Sequence, residues 1–336
     1  MYVSKKMELI LMGKSEKYRT LLEAYGERLK FDVPLARYTA AMIGGPADAL
    51  LEVHTSGELV EAVKSLWNTT LPFTLLGAGS NVLVCDDGVR GGVIVNRARS
   101  IEFDEETELV SVWAESGTNF GLIARQAGQR GLGGLEWAAG IPGTLGGAVV
   151  GNAGAHGSNI AGCLILAEIL HNKGAIGSAE PETEIWTVED FQYQYRSSRL
   201  KQQLSASQEN GNGQPAAVVL SARLRLEPST PQQVLTRMEK FASYRRETQP
   251  PGASMGSMFK NPPGDYAGRL IEAVGLKGAR LGDAQISPLH ANFFINLGKA
   301  TASDVLALID EARTQVKEEF GIDLELEIEI VGEQVN

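Results

Sequence analysis

Ten of the 27 residues from 131 to 157, GLGGLEWAAGIPGTLGGAVVGNAGAHG, are glycine, and no other feature limits so strongly what this chain can fold into. The stretch is too apolar for a flexible linker and too broken for a long helix. It reads as backbone folded closely around something that side chains would keep out. It is also the main source of a glycine excess over the whole chain: 38 in 336 residues, about 11% where about 7% is usual.

At 336 residues the chain has room for two or three domains, each with its own core. Its 43% hydrophobic and 21% charged residues can fill an interior and solvate a surface, which excludes a disordered chain. The net charge of −10 argues against broad binding to nucleic acid or to an anionic membrane face, while leaving room for a local basic pocket. Cys85 and Cys163 have no neighbours at zinc-site spacing, so two buried thiols in a reducing cytoplasm are expected, and no metal. The start, MYVSKKMELILMGKSEKYR, has an apolar run interrupted by Glu8 and no small-residue cleavage pattern. Neither a signal peptide nor a membrane anchor is expected.

Up to about residue 33 the chain reads as a polar helical lead-in, with Leu21, Leu22, Tyr25 and Leu29 at helical spacing. Short elements then alternate: strand DALLEVHT, helix GELVEAVKSLWN, strands LPFTLLG, NVLVC and GGVIVN, strand ELVSVWAE, and helix TNFGLIARQAGQRG with Thr118 as its N-cap and Gly131 near its end. Beyond the glycine segment, CLILAEIL and AAVVLSARLRL read as strands, with SASQENGNGQPAA as a solvated hairpin tip. A helix after Pro228 ends before Gln249-Pro250-Pro251. A second helix, 302–320, has Thr301 and Asp304 as a capping box and Gly321 as its stop. A strand, LELEIEIV, closes a mixed α+β chain.

Five constellations carry chemistry. Gly77-Ala78-Gly79-Ser80-Asn81 follows a strand and could turn its N–H groups onto a phosphate; it is not the Rossmann fingerprint, and alone it is equally a tight turn. The glycine-dense segment adds Ile141-Pro142-Gly143-Thr144, Gly146-Gly147 and Asn152-Ala153-Gly154-Ala155. Two such loops favour a large dinucleotide ligand. Tyr195-Arg196 offers a guanidinium fork for a carboxylate or phosphate, although a surface arginine is the ordinary reading. In Gly256-Ser257-Met258-Phe259-Lys260-Asn261-Pro262, hydroxyl, ammonium and amide together could handle a proton, without the surroundings of a serine nucleophile. Glu325, Glu327 and Glu329 share one face of the closing strand, either as a solvated acidic face or with one carboxyl drawn into a pocket.

The order of these motifs, together with IGGPADALLEV, AGRLIEAVGLKG and HANFFIN, closely resembles the UDP-N-acetylenolpyruvoylglucosamine reductase (MurB) family from about residue 38 to 333. The resemblance implies an FAD- and NADPH-dependent oxidoreductase of peptidoglycan precursor synthesis, monomeric and cytoplasmic, with small-molecule substrates and no nucleic-acid or membrane partner. The implied fold is a vanillyl-alcohol-oxidase/PCMH-type FAD domain of two α+β subdomains at 38–228, after a 1–37 lead-in, and a smaller α+β substrate domain at 229–336. It implies FAD contacts from Ile43, Gly44, Gly77, Ala78, Gly79, Ser80, Asn81, Pro142, Gly143, Gly146, Asn152, Gly154 and Ala155. Arg196, Ser257 and Glu327 match the family's catalytic trio, Glu327 being chosen over Glu325 by counting back from Ile330-Val331-Gly332. Asn261 matches a substrate-binding asparagine, with Lys260 and His290 in the same pocket.

Two departures stand out. Ala41 and Met42 replace an aromatic and a basic residue before Ile43-Gly44-Gly45, and no tyrosine occurs between Arg196 and Tyr244. The second points to the subgroup without a tyrosine loop over the substrate, with Arg245 or Arg246 as the diphosphate ligand instead. The competing readings are another FAD-dependent oxidoreductase on the same fold and a non-catalytic nucleotide-binding protein.

Overall fold

A computed structural model describes residues 16–175, 177–209 and 213–333. The apolar run before residue 16 and the Asn210-Gly211-Asn212 tip lie outside the described residues. Three principal sheets organise the chain, giving the α+β architecture expected. In the first, Lys30–Pro34 runs antiparallel to Pro46–Val53, which is parallel to Val89–Asn96, itself parallel to Phe73–Leu76. Parallel neighbours need a crossover, and the helix Ser56–Trp67 lies on one. Thr55 caps it by accepting from the N–H of Glu58 at 3.1 Å, and its buried side carries Leu59, Ala62, Val63, Leu66 and Trp67.

The second sheet is antiparallel, in the order Pro181–Trp186, Leu164–Asn172, Ala217–Arg225, Ser111–Glu115, Ile101–Asp104. Trp67, Phe73 and Ile94 from the first body share a core with Leu170, Val218 and Leu220 of this sheet. Each fully buried large side chain contributes on the order of 2–3 kcal/mol, so these two bodies are joined by apolar burial and not by a hinge. The third sheet, Ala253–Ser257, Phe293–Asn296, Ala284–Ile286, Arg280–Leu281, packs with helices Ala267–Ala273 and Ala302–Phe320 around Met258, Phe259, Phe294, Val305 and Leu308.

The chain then returns. Its last strand, Glu329–Val331, pairs in parallel with Val82–Val84, the strand that follows Gly77–Asn81. Asp86 accepts from the N–H groups of Ala302 and Ser303 at 2.7 and 2.9 Å, so the first domain caps the C-terminal helix. The boundary expected at 228/229 falls in front of helix Pro231–Thr248, whose Val234 and Met238 pack into the core of the second sheet. Its Arg237 holds buried Glu136 through Nε at 2.9 Å, so the apolar side of this helix belongs to the body of the second sheet.

Several local expectations are corrected. Residues 30–34 are a strand and not part of a helical lead-in, because the helix there is only Arg19–Tyr25. Asn119, not Thr118, caps helix Phe120–Gln129, accepting from the N–H of Leu122 at 2.8 Å; Thr118 is buried and its carbonyl takes the N–H of Leu145. The SASQE segment is no hairpin tip but the end of helix Arg199–Glu209. Strands Leu164–Asn172 and Ala217–Arg225 do pair, but the edge strand Pro181–Trp186 and two helices intervene. Their polar, half-exposed sequences carry little periodic signal. Only Glu329–Val331 of LELEIEIV forms a strand, since residues 325–327 bond instead to the backbone of Met258 and Lys260.

Candidate active site

The strand Phe73–Leu76 delivers Gly77–Asn81 to the floor of a cleft of about 1240 Å³, larger than the roughly 300–1,000 Å³ of a drug-sized site. Gly79 has φ +59°, and a Cβ there would lie 2.2 Å from the carbonyl oxygen of Tyr38, so only glycine fits. Gly143, at φ +123°, would place a Cβ 2.8 Å from Ser80 Oγ, and Gly77 would place one 2.5 Å from Thr144 Oγ1. The two glycine-rich loops therefore lie against each other. No backbone carbonyl among the described residues takes the N–H groups of Ala78 to Asn81, which leaves a row of donors suited to an anion.

On the adjoining wall a Cβ at Gly147 would meet only Thr144 Oγ1, at 3.7 Å, and one at Gly151 nothing within 4 Å. Both residues line the cleft, so side chains there would occupy the ligand's space. A long apolar-walled cleft with a row of free amide donors fits a flavin dinucleotide. Gly77, Ala78, Gly79, Ser80, Asn81, Pro142, Gly143, Gly146, Gly154 and Ala155 all line it.

Ile43, Gly44 and Asn152 do not. Ile43 is buried in the C-terminal core, and a Cβ on Gly44 would lie 2.8 Å from Val84 Cβ, so this segment packs behind the cleft. Asn152 is buried at the left-handed end of helix Leu145–Gly151, accepting from the N–H of Ala161 and donating through Nδ2 to the carbonyl of Gln194 at 3.0 Å. Its side chain supports the next element.

That element presents Arg196. Gln194 and Ser197 exchange backbone hydrogen bonds of 3.0 and 3.2 Å, and Arg196 sits at the corner between them with φ +55°. A non-glycine residue there costs on the order of 1 kcal/mol. The turn persists because it is pinned to helix Leu145–Gly151: Tyr193 donates to the carbonyl of Val149 at 2.8 Å and Ser198 to that of Val150 at 2.6 Å.

Glu327 is held from two other sides. Its carbonyl accepts from Asn81 Nδ2 at 3.0 Å and its N–H donates to Met258 at 2.9 Å. The Ser257–Asn261 segment is clamped in turn by buried Asn292, which accepts from the N–H of Phe259 at 2.9 Å and donates to its carbonyl at 2.8 Å. Arg196 Nε thus lies 2.8 Å from Glu327 Oε1. This is an ion pair by distance, although the Nε–H is not directed along a hydrogen bond.

Beyond this point opens a second cavity of about 440 Å³, and Arg196, Ser257 and Glu327 line both. Asn261 and His290 line the smaller one. Burial pushes the proton affinity of His290 down, which favours neutral imidazole, and its Nδ1 accepts from the N–H of Asn292. Lys260 lines neither cavity and pairs with exposed Glu325 at 2.8 Å. The three glutamates therefore do not share a surface: Glu325 meets Lys260, Glu327 meets Arg196 and Glu329 meets Lys201. Burial raises the pKa of the Glu327 carboxyl above its ordinary value, outweighing the opposing pull of Arg196, Lys201 and Lys260.

Of the two arginines proposed for a diphosphate, Arg245 lines the large cleft, while Arg246 turns to Glu239. Helical phase separates them, because Arg245 lies seven residues after Met238 on the core-facing side. Thr144 and Gly147 of the glycine-dense segment also line the cleft, as does Lys201, which was not singled out from sequence.

Comparison with known proteins agrees with this geometry. Residues 47–177 match the family model described as FAD binding domain, and residues 248–331 match UDP-N-acetylenolpyruvoylglucosamine reductase, C-terminal domain. The UDP-N-acetylenolpyruvoylglucosamine reductase of Chloroflexus aurantiacus is 45% identical over 89% of this chain and 96% of its own length, and that of Rubrobacter xylanophilus 44% identical over 90% and 95%. The crystal structure of the Thermus caldophilus reductase superposes with a TM-score of 0.70 at 36% identity, covering 90% of this chain and 98% of that one. With two family models on the two halves and full-length relatives well above 30% identity, the chain belongs to the UDP-N-acetylenolpyruvoylglucosamine reductase (MurB) family.

Proposed function

We propose that Arg196, Ser257 and Glu327 are the groups with which this FAD-dependent reductase acts on UDP-N-acetylenolpyruvoylglucosamine, with NADPH as the reductant. The observation that carries the assignment is their position on the wall shared by the dinucleotide cleft and the smaller cavity. The amide donors of Ala78–Asn81 and the bare backbone at Gly143, Gly146, Gly147 and Gly154 would hold FAD, and Asn261 and His290 would face the sugar nucleotide. Bound FAD, once reduced, supplies the hydride.

The residues of the chain do the rest. Negative charge developing beside the substrate carboxylate is met by the Arg196 guanidinium and by Glu327, which its raised proton affinity equips to hold a proton in the buried site. Ser257 Oγ makes no hydrogen bond to another described residue, which leaves it free to turn toward a bound substrate and deliver the proton. A serine is a weak acid, so this step works only against a strongly basic carbanion in a site that excludes water. Two buried free thiols agree with a reducing cytoplasm, and among the described residues no helix is long and apolar enough to cross a membrane. We read the enzyme as a cytoplasmic monomer.

The test is the visible spectrum of the purified protein together with NADPH oxidation, measured with and without UDP-N-acetylenolpyruvoylglucosamine. A flavin spectrum and substrate-dependent turnover are expected. A colourless protein unable to take up added FAD overturns the reading.

A further inference from the structure

We propose that Lys201 is a positioning residue for the reduction, forming with Glu329 a second ion pair beside Arg196–Glu327 that keeps those two residues in register. The inference rests on the reading of Glu327 given above. Lys201 Nζ lies 2.7 Å from Glu329 Oε1, with the lysine side chain only 18% exposed, and both residues line the large cleft. Arg196 and Lys201 are five residues apart on one segment; Glu327 and Glu329 are two apart on the other. Two cross-links between the same pair of segments fix both their separation and their angle, which one ion pair cannot do. The lysines of the two flanking pairs are equally covered, but Glu329 is 41% exposed where Glu325 of the Lys260 pair is 73%, so solvent screens the Lys260 pair more strongly.

The sequence is locally unfavourable here, which is itself informative. Lys201 stands in the first turn of helix Arg199–Glu209, which has no acidic residue there. A cation at that end opposes the helix dipole. Ser198 Oγ accepts the N–H of Lys201 at 3.0 Å and donates to Val150, so the cap that starts the helix also ties Lys201 to the glycine-rich wall. A residue that breaks a local rule and is held by three elements has a tertiary reason to be there.

The charges around Glu327 are Arg196 from the turn, Lys201 from the helix, Lys260 from the Ser257–Asn261 segment, and Glu325 and Glu329 on its own closing segment; Arg245 stands behind Arg196. Lys201→Met removes a cation and leaves the Glu329 anion unpaired, and both changes favour protonated Glu327. Glu329→Gln removes the anion and leaves the cation, which favours ionised Glu327. The two variants break the same ion pair but should move the titration in opposite directions.

The experiment follows single-turnover reoxidation of the NADPH-reduced holoenzyme by substrate across pH, with thermal midpoint and flavin content recorded for every variant. The alkaline limb is expected to rise by about 1 pH unit in Lys201→Met and to fall by about as much in Glu329→Gln, the scale of a neighbouring charge, while Lys201→Arg stays near wild type. Shifts in the same direction, or none, overturn the inference. Glu327→Gln separates the two levels of argument. If the wild-type limb survives in that variant, the reading of Glu327 is wrong. If Glu327→Gln abolishes the limb and the two flanking variants still fail to oppose each other, only the role of Lys201 is lost.

Discussion

The floor of the cleft and the wall at its end are built on opposite plans. The floor is backbone: Gly77, Gly79, Gly143 and Gly147 contribute by lacking side chains, and all lie within two short stretches of sequence. The wall is side chains, Arg196, Ser257 and Glu327, each 61 or 70 residues from the next in the chain and brought together by carbonyl and amide contacts of their neighbours. Binding a large cofactor needs room and many weak donors, which bare backbone supplies. Chemistry needs a few groups at fixed positions, which only packing from several directions supplies.

The contrast can be broken from either side. The largest effect is expected from Gly79→Ala: a Cβ 2.2 Å from the Tyr38 carbonyl, at a positive φ, should cost about 3 kcal/mol or more and abolish stable flavin binding, measured by cofactor content and thermal midpoint. Ser257→Ala attacks the wall alone. It should still let NADPH reduce the flavin, yet slow reoxidation by substrate about 10²- to 10⁴-fold; equal loss in both half-reactions would remove Ser257 from the proton transfer.

A smaller effect comes from pH. Burial raises the folded-state pKa of Glu327, so its contribution to stability is complete below the ordinary carboxylate value and is lost as pH rises through the raised one. The thermal midpoint of wild type relative to Glu327→Gln should therefore improve as pH falls from about 8 to about 5, and a difference independent of pH would contradict the burial of this carboxyl. The smallest effect should be Glu325→Gln. Its ion pair with Lys260 is screened at the surface, so activity should stay within about twofold and stability within about 0.5 kcal/mol.

Much of the fold was legible in local pattern. Helix Ala302–Phe320 has the capping box and glycine stop that its sequence predicts, and helix Ser56–Trp67 forms where GELVEAVKSLWN predicts one. Strand Pro181–Trp186 and helix Arg199–Glu209 were missed because neither has a strong apolar period: one is an exposed edge and the other is polar almost throughout. Asn119 displaced Thr118 as a cap because both are capping residues and only the backbone path decides between them.

Within the site, the cleft-lining glycines were readable. Ile43, Gly44 and Asn152 share the same local motifs but are not among the residues that line the cleft. Lys260 and Asn261 are adjacent in sequence, and only Asn261 reaches the smaller cavity.

Taken alone, the sequence favoured one large dinucleotide ligand approached by two glycine-rich loops, because glycine lets backbone come close, and the order of its motifs pointed to the family. Tertiary structure decided which of Glu325, Glu327 and Glu329 is the buried one. Alternation along a strand would put all three on one face, but only the last three residues of that segment enter a ladder. The hydrogen bonds of Glu327 to Asn81 and Met258 turn it inward against Arg196, while its neighbours meet lysines on either side. That choice depends on contacts 65 or more residues away in the chain, which no local pattern encodes.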